Sequence, residues 1–306
     1  MANQRDIKNR ISSINSTKKI TSTMEMVATA KMKKQQTRLE KSKPYEEKVN
    51  EVIASILSSG VDTSSNFFFQ ESINPTKALI LQITGNRGLC GSFNSNVIEN
   101  TLALKEKLKS EGKEVLNYVV GKKGIGYLNF INEPIYKSLE NPEDKFNFEA
   151  ATKIAEELQE LFLSLTVHEV YISYTKVEST FSQKPEIIKL LPIKDLGQEL
   201  EANQKPEEKD NNKKDLSTKA NFEYLFEPSS EKIFSYILPL YIKVKLFTCF
   251  LESSYSEQFA RRVAMKNATD ASGDMISELT ITYNRARQAK ITNEIAEICG
   301  GAAALG

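Results

Sequence analysis

Both ends of this chain carry helical patterns far longer than an ordinary globular helix. Within residues 5–57, and again from about Ser229 to the C-terminus, apolar side chains recur mostly at intervals of three and four residues, which is the spacing of one helix face. At 1.5 Å of rise per residue, these helices would extend about 80 Å and about 110 Å. Helices of this length need a partner helix or an enclosing sleeve. We therefore predict that the two pair as an antiparallel coiled coil.

The two helical patterns differ in length. The C-terminal pattern is longer by roughly 20 to 25 residues, so about 35 Å of it should project past the pair as a single helix. It ends in GGAAALG (300–306), which is small, apolar and uncharged. Frayed termini are usually polar, so this sequence indicates a structured tip.

The middle of the chain alternates between strand and helix patterns. Strand patterns occupy residues 77–84, 114–120, 168–177 and 186–193, and helical patterns occupy 92–112 and 146–164. Strand–helix alternation is typical of an open, largely parallel sheet. The fold class that follows is α/β: a Rossmann-like open domain between the two helices of the coiled coil.

A highly charged segment follows the last strand pattern. Residues 198–219 hold six acidic and five basic residues and no aromatic residue, so they cannot bury enough apolar surface to order themselves. We interpret the segment as a surface insertion, and its lack of cysteine argues against a disulfide switch. The predicted division is an N-terminal helix (1–60), an α/β domain (75–195), this flexible insert (196–222), and a C-terminal helix with its tip (223–306).

Composition narrows the class of protein. Net charge is +1, and the chain has three cysteines and one histidine, His168. The cysteines form no CxxC pair, so neither a zinc site nor a disulfide framework is indicated. The N-terminus lacks the apolar core of a signal peptide. The apolar stretch 236–251 is short for a membrane span and carries Lys243 and Lys245, so we expect a soluble or peripheral protein.

Two glycine-rich stretches are candidates for a nucleotide-binding site. ITGNRGLCGSFN (83–94) and VVGKKGIG (119–126) each follow a strand pattern. Both lack the GxxxxGK[ST] and GxGxxG spacings that cradle phosphates, so tight turns are the favoured interpretation. Cys90 has no histidine nearby in sequence to activate it as a nucleophile. We predict no catalytic residue, no cofactor and no metal.

The first 43 residues are strongly basic. They hold 11 Lys or Arg and three Asp or Glu, a pattern that suits nucleic acid or a negatively charged protein sleeve. Aromatic residues for base stacking are absent before Tyr45, which favours the sleeve. A coiled-coil scaffold or nucleic-acid-binding adaptor with an α/β head stays open as the alternative function.

Three stretches of the sequence resemble one known family. They are IKNRISSINSTKKITSTMEMVATAKM (7–32), RGLCGSFN (87–94) and the block from LESSYSEQF to GGAAAL (251–305). All three are similar to the gamma subunit of the rotary F-type ATP synthase. The chain departs from that pattern at Asn86, where aspartate is usual, and at Tyr255 and Gln258.

The resemblance implies a function without bond chemistry. The chain would be the central rotor shaft, a non-catalytic subunit that carries torque between an ion-driven c-ring and the alpha3-beta3 hexamer. Its partners would be the alpha and beta subunits, epsilon and the c-ring, with no nucleic acid. It would lie peripherally at the cytoplasmic face of a bacterial plasma membrane. The choice of proton or sodium ion is made in another chain.

The resemblance also assigns roles to particular residues, and all of these are expectations. Arg287 and Gln288 would contact beta and couple rotation to catalysis. Met24, Ile295, Ile298 and Ala303 would form the bearing and shaft surface, and Tyr224 and Glu227 the foot near the c-ring.

Overall fold

The computed structural model describes residues 4–58, 66–70, 72, 75–179, 182–193, 227 and 229–305. In chain order the elements are α1 (Gln4–Ser58), β1 (Lys77–Ile83), α2 (Phe93–Ser110), β2 (Glu114–Val120), α3 (Lys122–Phe130), β3 (Lys137–Leu139), a 3-10 turn (Glu143–Lys145), α4 (Phe148–Leu163), β4 (Glu169–Val177), β5 (Gln183–Leu191) and α5 (Ser230–Leu305).

The predicted fold class is confirmed. A mixed α/β region with a five-stranded sheet lies in sequence between two long helices, which have 55 and 76 residues. Pro44 and Pro239 both lie inside helices. The charged insert lies outside the described residues.

The chain divides into two compact units. The helical unit consists of Met1–Met32, Leu89–Gly91 and Gln258–Gly306, and the α/β unit of Lys33–Gly88 and Ser92–Glu257. The four-part division drawn from the sequence stays a prediction.

Within the helical unit, α1 and α5 run antiparallel. Thr269 Oγ1 donates a hydrogen bond to Thr21 Oγ1 at 2.8 Å, and a Cβ added to Gly273 would lie 3.1 Å from Lys18 Nζ. Contacts therefore move toward the start of α1 as α5 advances. Ala28 and Met265 are buried in this unit. Extending the same pairing places the first residue of α1, Gln4, opposite residue 286 or so.

Within the α/β unit, the sheet has the strand order β3-β2-β1-β4-β5. β1 is parallel to both β2 and β4, β2 is parallel to β3, and β5 runs antiparallel to β4. Side chains of a strand alternate between the two faces. Leu79, Leu81 and Ile83 join the main apolar core with α4, the end of α1 and the start of α5, whereas Ala78 and Ile80 face α2.

The α2 face of the sheet holds several buried polar groups. Thr101 Oγ1 donates to Ser173 Oγ at 2.8 Å, and Lys105, 3% exposed, forms an ion pair with Glu133. The Gln82 side chain lies on the same face and is 1% exposed. Neither its amide nitrogen nor its amide oxygen has a hydrogen-bond partner among the described residues. Such a group costs free energy, because it lost its water without replacement.

Two elements were missed by the sequence analysis. Residues 119–126 were interpreted as a turn, but Lys122 begins α3 directly after Gly121. Gly121 has φ of +103°, and an added Cβ would lie 2.2 Å from the Thr84 carbonyl oxygen, so glycine is required there. The Thr84 hydroxyl accepts from Gly124 N at 3.0 Å and fixes the start of the helix. Strand β3 has only three residues, all exposed, with no apolar pattern to mark it.

Helix α5 contains an 18-residue window with mean hydropathy 1.5, which is enough by length and composition to cross a membrane. By sequence the stretch 236–251 is too short for a span, but it lies inside this longer helix. Half of the window is buried within the protein. A buried core helix passes the same test, so the window is weak support for a span.

An acidic pair lies between α1 and α5 in the α/β unit. Thr248 Oγ1 donates to Glu46 Oε2 at 3.0 Å, and Glu252 is one turn further along α5. Burial first, and then the Glu46 charge, raise the pKa of Glu252 to about 7, although Lys176 and Lys245 oppose the shift. The carboxyl of Glu252 is therefore largely protonated below neutral pH.

We predict that replacing Gln82 with Met stabilises the full chain. The Met side chain has a similar volume and no unsatisfied amide, so the free energy of unfolding should rise by about 1 kcal/mol. Urea unfolding measures the change. The matched control is Gln159→Met: Gln159 is also buried, but its Nε2 donates to the Pro239 carbonyl at 3.2 Å. That variant should lose stability, and equal effects of the two changes would contradict the prediction.

Stability should fall as pH rises toward 8 because of Glu252. Its pKa is raised from 4.5 to about 7 in the folded chain, so the folded state holds this proton more tightly than the unfolded state. Its contribution is complete below pH 4.5 and is lost by pH 7 to 8. Urea unfolding across this range should show a smaller loss in Glu252→Gln than in wild type. Glu297→Gln, at an exposed site on α5, should follow wild type; an identical slope in all three would exclude Glu252 as the cause.

Candidate functional site

The carboxyl ends of β1 and β4 form the natural ligand crevice of this sheet. The chain moves from β1 to β2 on one side and returns through α4 to β4 on the other, so the direction of winding reverses between these neighbours. Open α/β sheets usually bind ligands at this switch point. The pairing of Gln82 with Ser173 puts the end of β1 beside the middle of β4, which continues to Val177.

Helix α5 fills this crevice. Glu257 is 4% exposed, and its carboxyl carbon and one oxygen lie 2.9 Å from where a Cβ would be on Gly85, directly after β1. The hydroxyl of the adjacent Ser256, also buried, points to the Thr175 carbonyl oxygen of β4 at 3.5 Å. Residues of α5 thus stand where a nucleotide would bind in a dinucleotide-binding domain.

Two asparagines hold the loops at this edge of the sheet. Asn86 Nδ2 donates to the Asn141 carbonyl at 2.7 Å, and its Oδ1 accepts from the backbone of Lys122 and of Asn141. Asn141 Nδ2 donates to the Thr84 carbonyl at 2.8 Å. These bonds tie together the segments that follow β1, β2 and β3. Asn86, which departs from the family's usual aspartate, therefore has a structural role that an amide performs.

Basic side chains lie around this edge of the sheet, but the backbone amides there already donate hydrogen bonds within the protein. Arg87 and Lys122 are exposed and pair with Glu143 and Glu140. At the start of α3, Lys123 N donates to the Gly85 carbonyl at 3.1 Å, and Gly124 N donates to Thr84. A phosphate site needs such amides free. The geometry offers a rigid junction instead of an anion cradle.

The reactive residue types do not assemble into a catalytic centre in the part of the chain that the structure describes. No group of three His, Cys, Asp or Glu residues there could hold a metal ion. Cys90 and Cys249 are buried, and burial raises the pKa of the Cys249 thiol. His168 Nδ1 accepts from the backbone of Lys77 at 3.3 Å, which is a structural contact.

The C-terminal part of α5 is exposed along its whole circumference. Every residue from Arg287 to Ala302 is exposed, including Ile291, Ile295 and Ile298, the last at 71%. Arg287 and Gln288 lie at the start of this segment, where the partner helix ends. Among the described residues, Lys290 pairs with Glu294 at 3.6 Å, and Thr292 Oγ1 donates to the Gln288 carbonyl. We call residues 287–305 the free end of α5.

The other predicted site residues are placed as follows. Met24 is partly buried in α1, and Glu227 is exposed just before α5. Ala303 continues the helix, but its side chain and the whole of Tyr224 lie outside the described residues. The structure does not bring the predicted coupling, bearing and foot residues into one site. They are distributed along the chain, as surface contacts with other proteins would be.

Glu257 is the residue that sequence reasoning missed. It lies in an ordinary helical pattern, and its neighbour Gly85 is distant in sequence. The only signal was Gly85 itself, a glycine directly after a buried strand, which indicates close approach of another group.

Comparison with known proteins shows one family. The family model described as ATP synthase matches residues 3–305. The ATP synthase gamma chain of Leptospira biflexa is 40% identical over 307 residues, which cover 100% of both chains. A chain of the Tetrahymena thermophila mitochondrial ATP synthase, from a central stalk and c-ring structure, has a TM-score of 0.56 at 25% identity and covers 81% of this chain and 99% of its own.

A second solved structure supports the fold. The matching chain of the Euglena gracilis mitochondrial ATP synthase has a TM-score of 0.61 at 20% identity, covering 99% of this chain and 94% of its own. At this identity the likeness concerns the fold alone. The family model over residues 3–305 and the full-length matches to bacterial gamma chains show that this chain belongs to the ATP synthase gamma chain family.

Proposed function

We propose that this chain is the central rotor shaft of an F-type ATP synthase and transmits torque between the c-ring and the alpha3-beta3 hexamer. The observation that carries the proposal is the free end of α5, a helix that continues past its partner with its whole circumference exposed and with Ile291, Ile295 and Ile298 along one face. Exposed apolar surface of this kind marks an interaction site. An enclosing ring of protein accounts for all of its faces at once.

A shaft needs stiffness along its length. One elementary charge that crosses 100 mV releases only about 2.3 kcal/mol, so several charges have to be summed mechanically for each ATP. Paired helices transmit such a load with little bending, whereas a loop would deform under it. The antiparallel contacts of α1 and α5, at Thr21–Thr269 and at Glu46–Thr248, support this role in each unit.

The chain itself performs no bond chemistry in this proposal. The ligand crevice of the sheet is filled by Glu257, and the amides at the start of α3 are already bonded. Nucleotide binding and catalysis would therefore belong to the alpha and beta subunits. We propose further contacts with epsilon and the c-ring through the region around Glu227, just before α5, and a peripheral place at the cytoplasmic face of a bacterial membrane.

The tip of the shaft would be a bearing with two zones. Ile295 and Ile298 are exposed and would turn against an apolar collar without forming directional bonds. Beyond Cys299 the sequence contains only glycine, alanine and one leucine. Short side chains without charge give such a surface few obstacles to rotation, which suits the end of the helix.

A nucleic-acid-binding scaffold is the second candidate, and the basic start of α1 is the observation that favours it. Its lysines and arginines are largely exposed in the structure. Binding of DNA by the purified chain that weakens steeply with salt would support this function. Co-purification with a nucleotide-binding hexamer would support the shaft.

Rotation of the chain tests the proposed function directly. A Glu227→Cys variant, with the exposed Cys299 changed to Ser, gives a specific attachment point for a bead on the complex with alpha and beta subunits fixed to a surface. On addition of ATP the bead should rotate in one direction. The same complex without ATP is the control. ATP hydrolysis with a stationary bead would contradict the shaft function.

Arg287 should contribute to coupling. Its exposed guanidinium can form bidentate, charge-assisted bonds to a carboxylate of beta. In membranes containing the assembled complex, Arg287→Ala should lower the rate of ATP synthesis by about 10-fold or more, since a lost charged hydrogen bond costs about 1.5–3 kcal/mol. Arg285→Ala removes an equally exposed charge on a different side of α5 and should have a much smaller effect. Equal rates in the two variants would count against a specific contact.

A further inference from the structure

The segment of α5 at Ser256 and Glu257 enters the crevice in which doubly wound sheets bind their ligands. Gly85 lies on one wall, after β1, and Thr175 lies on the other, in β4. Contacts to both walls come from adjacent residues of one helix. The helix therefore bridges the two halves of the sheet at the point where the winding reverses.

The space at this contact is closed. An added Cβ at Gly85 would lie 2.9 Å from both the carboxyl carbon and one oxygen of Glu257, and 3.1 Å from its other oxygen. Real Cβ atoms do not approach other atoms so closely, so any larger residue at position 85 would displace the carboxyl group. Gly126, in α3, has nothing within 4 Å of the same position. The three atoms nearest to the Cβ position of Gly85 all belong to Glu257.

The burial of these side chains indicates a built contact. Glu257 is 4% exposed and Ser256 is 1% exposed, although carboxyl groups are rarely buried without partners because water solvates them well. An apolar side chain of similar size would fill the same volume without the loss of hydration that a carboxyl group suffers on burial. A carboxyl group at this point therefore indicates a requirement beyond filling space.

We propose that Ser256 and Glu257 act as a built-in ligand of the α/β fold and are the positioning residues that lock α5 to the sheet for torque transfer. The inference rests on the proposed shaft function. In a nucleotide-binding domain, a bound ligand joins the two halves of the sheet and is released in each cycle. Here the covalent continuity of α5 makes that joint permanent. Torque that enters through the α/β unit passes into the helix at this joint.

A double-mutant cycle on the full chain tests the contact. Gly85→Ala should lower the melting temperature by roughly 2–10 °C, because the new methyl group overpacks a closed site. In a Glu257→Ala background the same methyl group has room, so its cost should largely disappear. Glu257→Gln preserves the shape and should retain most of the contact. Gly126→Ala is the matched control and should not lower the melting temperature.

The assembled complex in membrane vesicles tests the role in torque transfer. ATP hydrolysis and ATP-driven ion pumping are measured together for each variant. Gly85→Ala and Glu257→Ala should lose pumping per ATP hydrolysed, while Glu257→Gln and Gly126→Ala should keep the wild-type ratio. A purely structural contact would lower the amount of complex without changing this ratio.

Two results would overturn the proposal. Additive effects of Gly85→Ala and Glu257→Ala on the melting temperature would show that the two residues do not act on each other. A non-additive cycle with an unchanged pumping ratio would remove the role in torque transfer. Both results are distinct from failure of the shaft function itself, because that failure appears as a stationary bead on the wild-type shaft during ATP hydrolysis.

Discussion

The pairing of α1 with α5 is the interaction on which the rest of the structure depends. Helices of 55 and 76 residues take most of their stability in a protein from tertiary packing and not from helix propensity. In the helical unit the contacts include small and polar residues, such as Ala28, Thr21 and Thr269, together with the buried Met265. In the α/β unit the same two helices contribute large apolar residues to the main core, including Ile53, Ile56 and Leu246. The same pair of helices is therefore held by different contacts in the two units. Small and polar side chains take part in the helical unit, and large apolar side chains fix the helices to the core in the α/β unit.

Much of the fold could be predicted from the sequence because its central strands are buried. KALILQI and EVLNYVV are nearly continuous apolar runs, as strands covered on both faces require. Helix α3 was missed because its Gly-Lys-rich start follows no apolar period. It forms because the Thr84 hydroxyl and the Gly85 carbonyl, both distant in sequence, satisfy its first backbone amides. Strand β3 exists only as an edge that pairs with β2.

The candidate site was less predictable than the fold because it depends on contacts between residues that are distant in sequence. Arg287, Gln288 and the exposed isoleucines could be named because the resemblance to the family matches the helix residue by residue. Glu257 could not, since its position depends on Gly85 after β1, and that of the adjacent Ser256 on Thr175 in β4, both distant in sequence. Helical periodicity describes only which side of a helix is apolar. It does not describe which residue of that side meets a strand end.

An occupied crevice also explains how a nucleotide-binding type of fold can serve in a mechanical part. A sheet whose two halves are joined by a diffusible ligand has a stiffness that depends on ligand concentration, because each binding event orders the loops at the strand ends. When side chains of a helix of the same chain occupy the crevice, the stiffness of the sheet no longer depends on ligand concentration. The asparagine bonds between the loops after β1, β2 and β3 have the same effect, since they hold the strand ends without any bound group. The α/β unit would then respond to load in the same way whether nucleotide is abundant or scarce, which is the property that the proposed torque transfer requires.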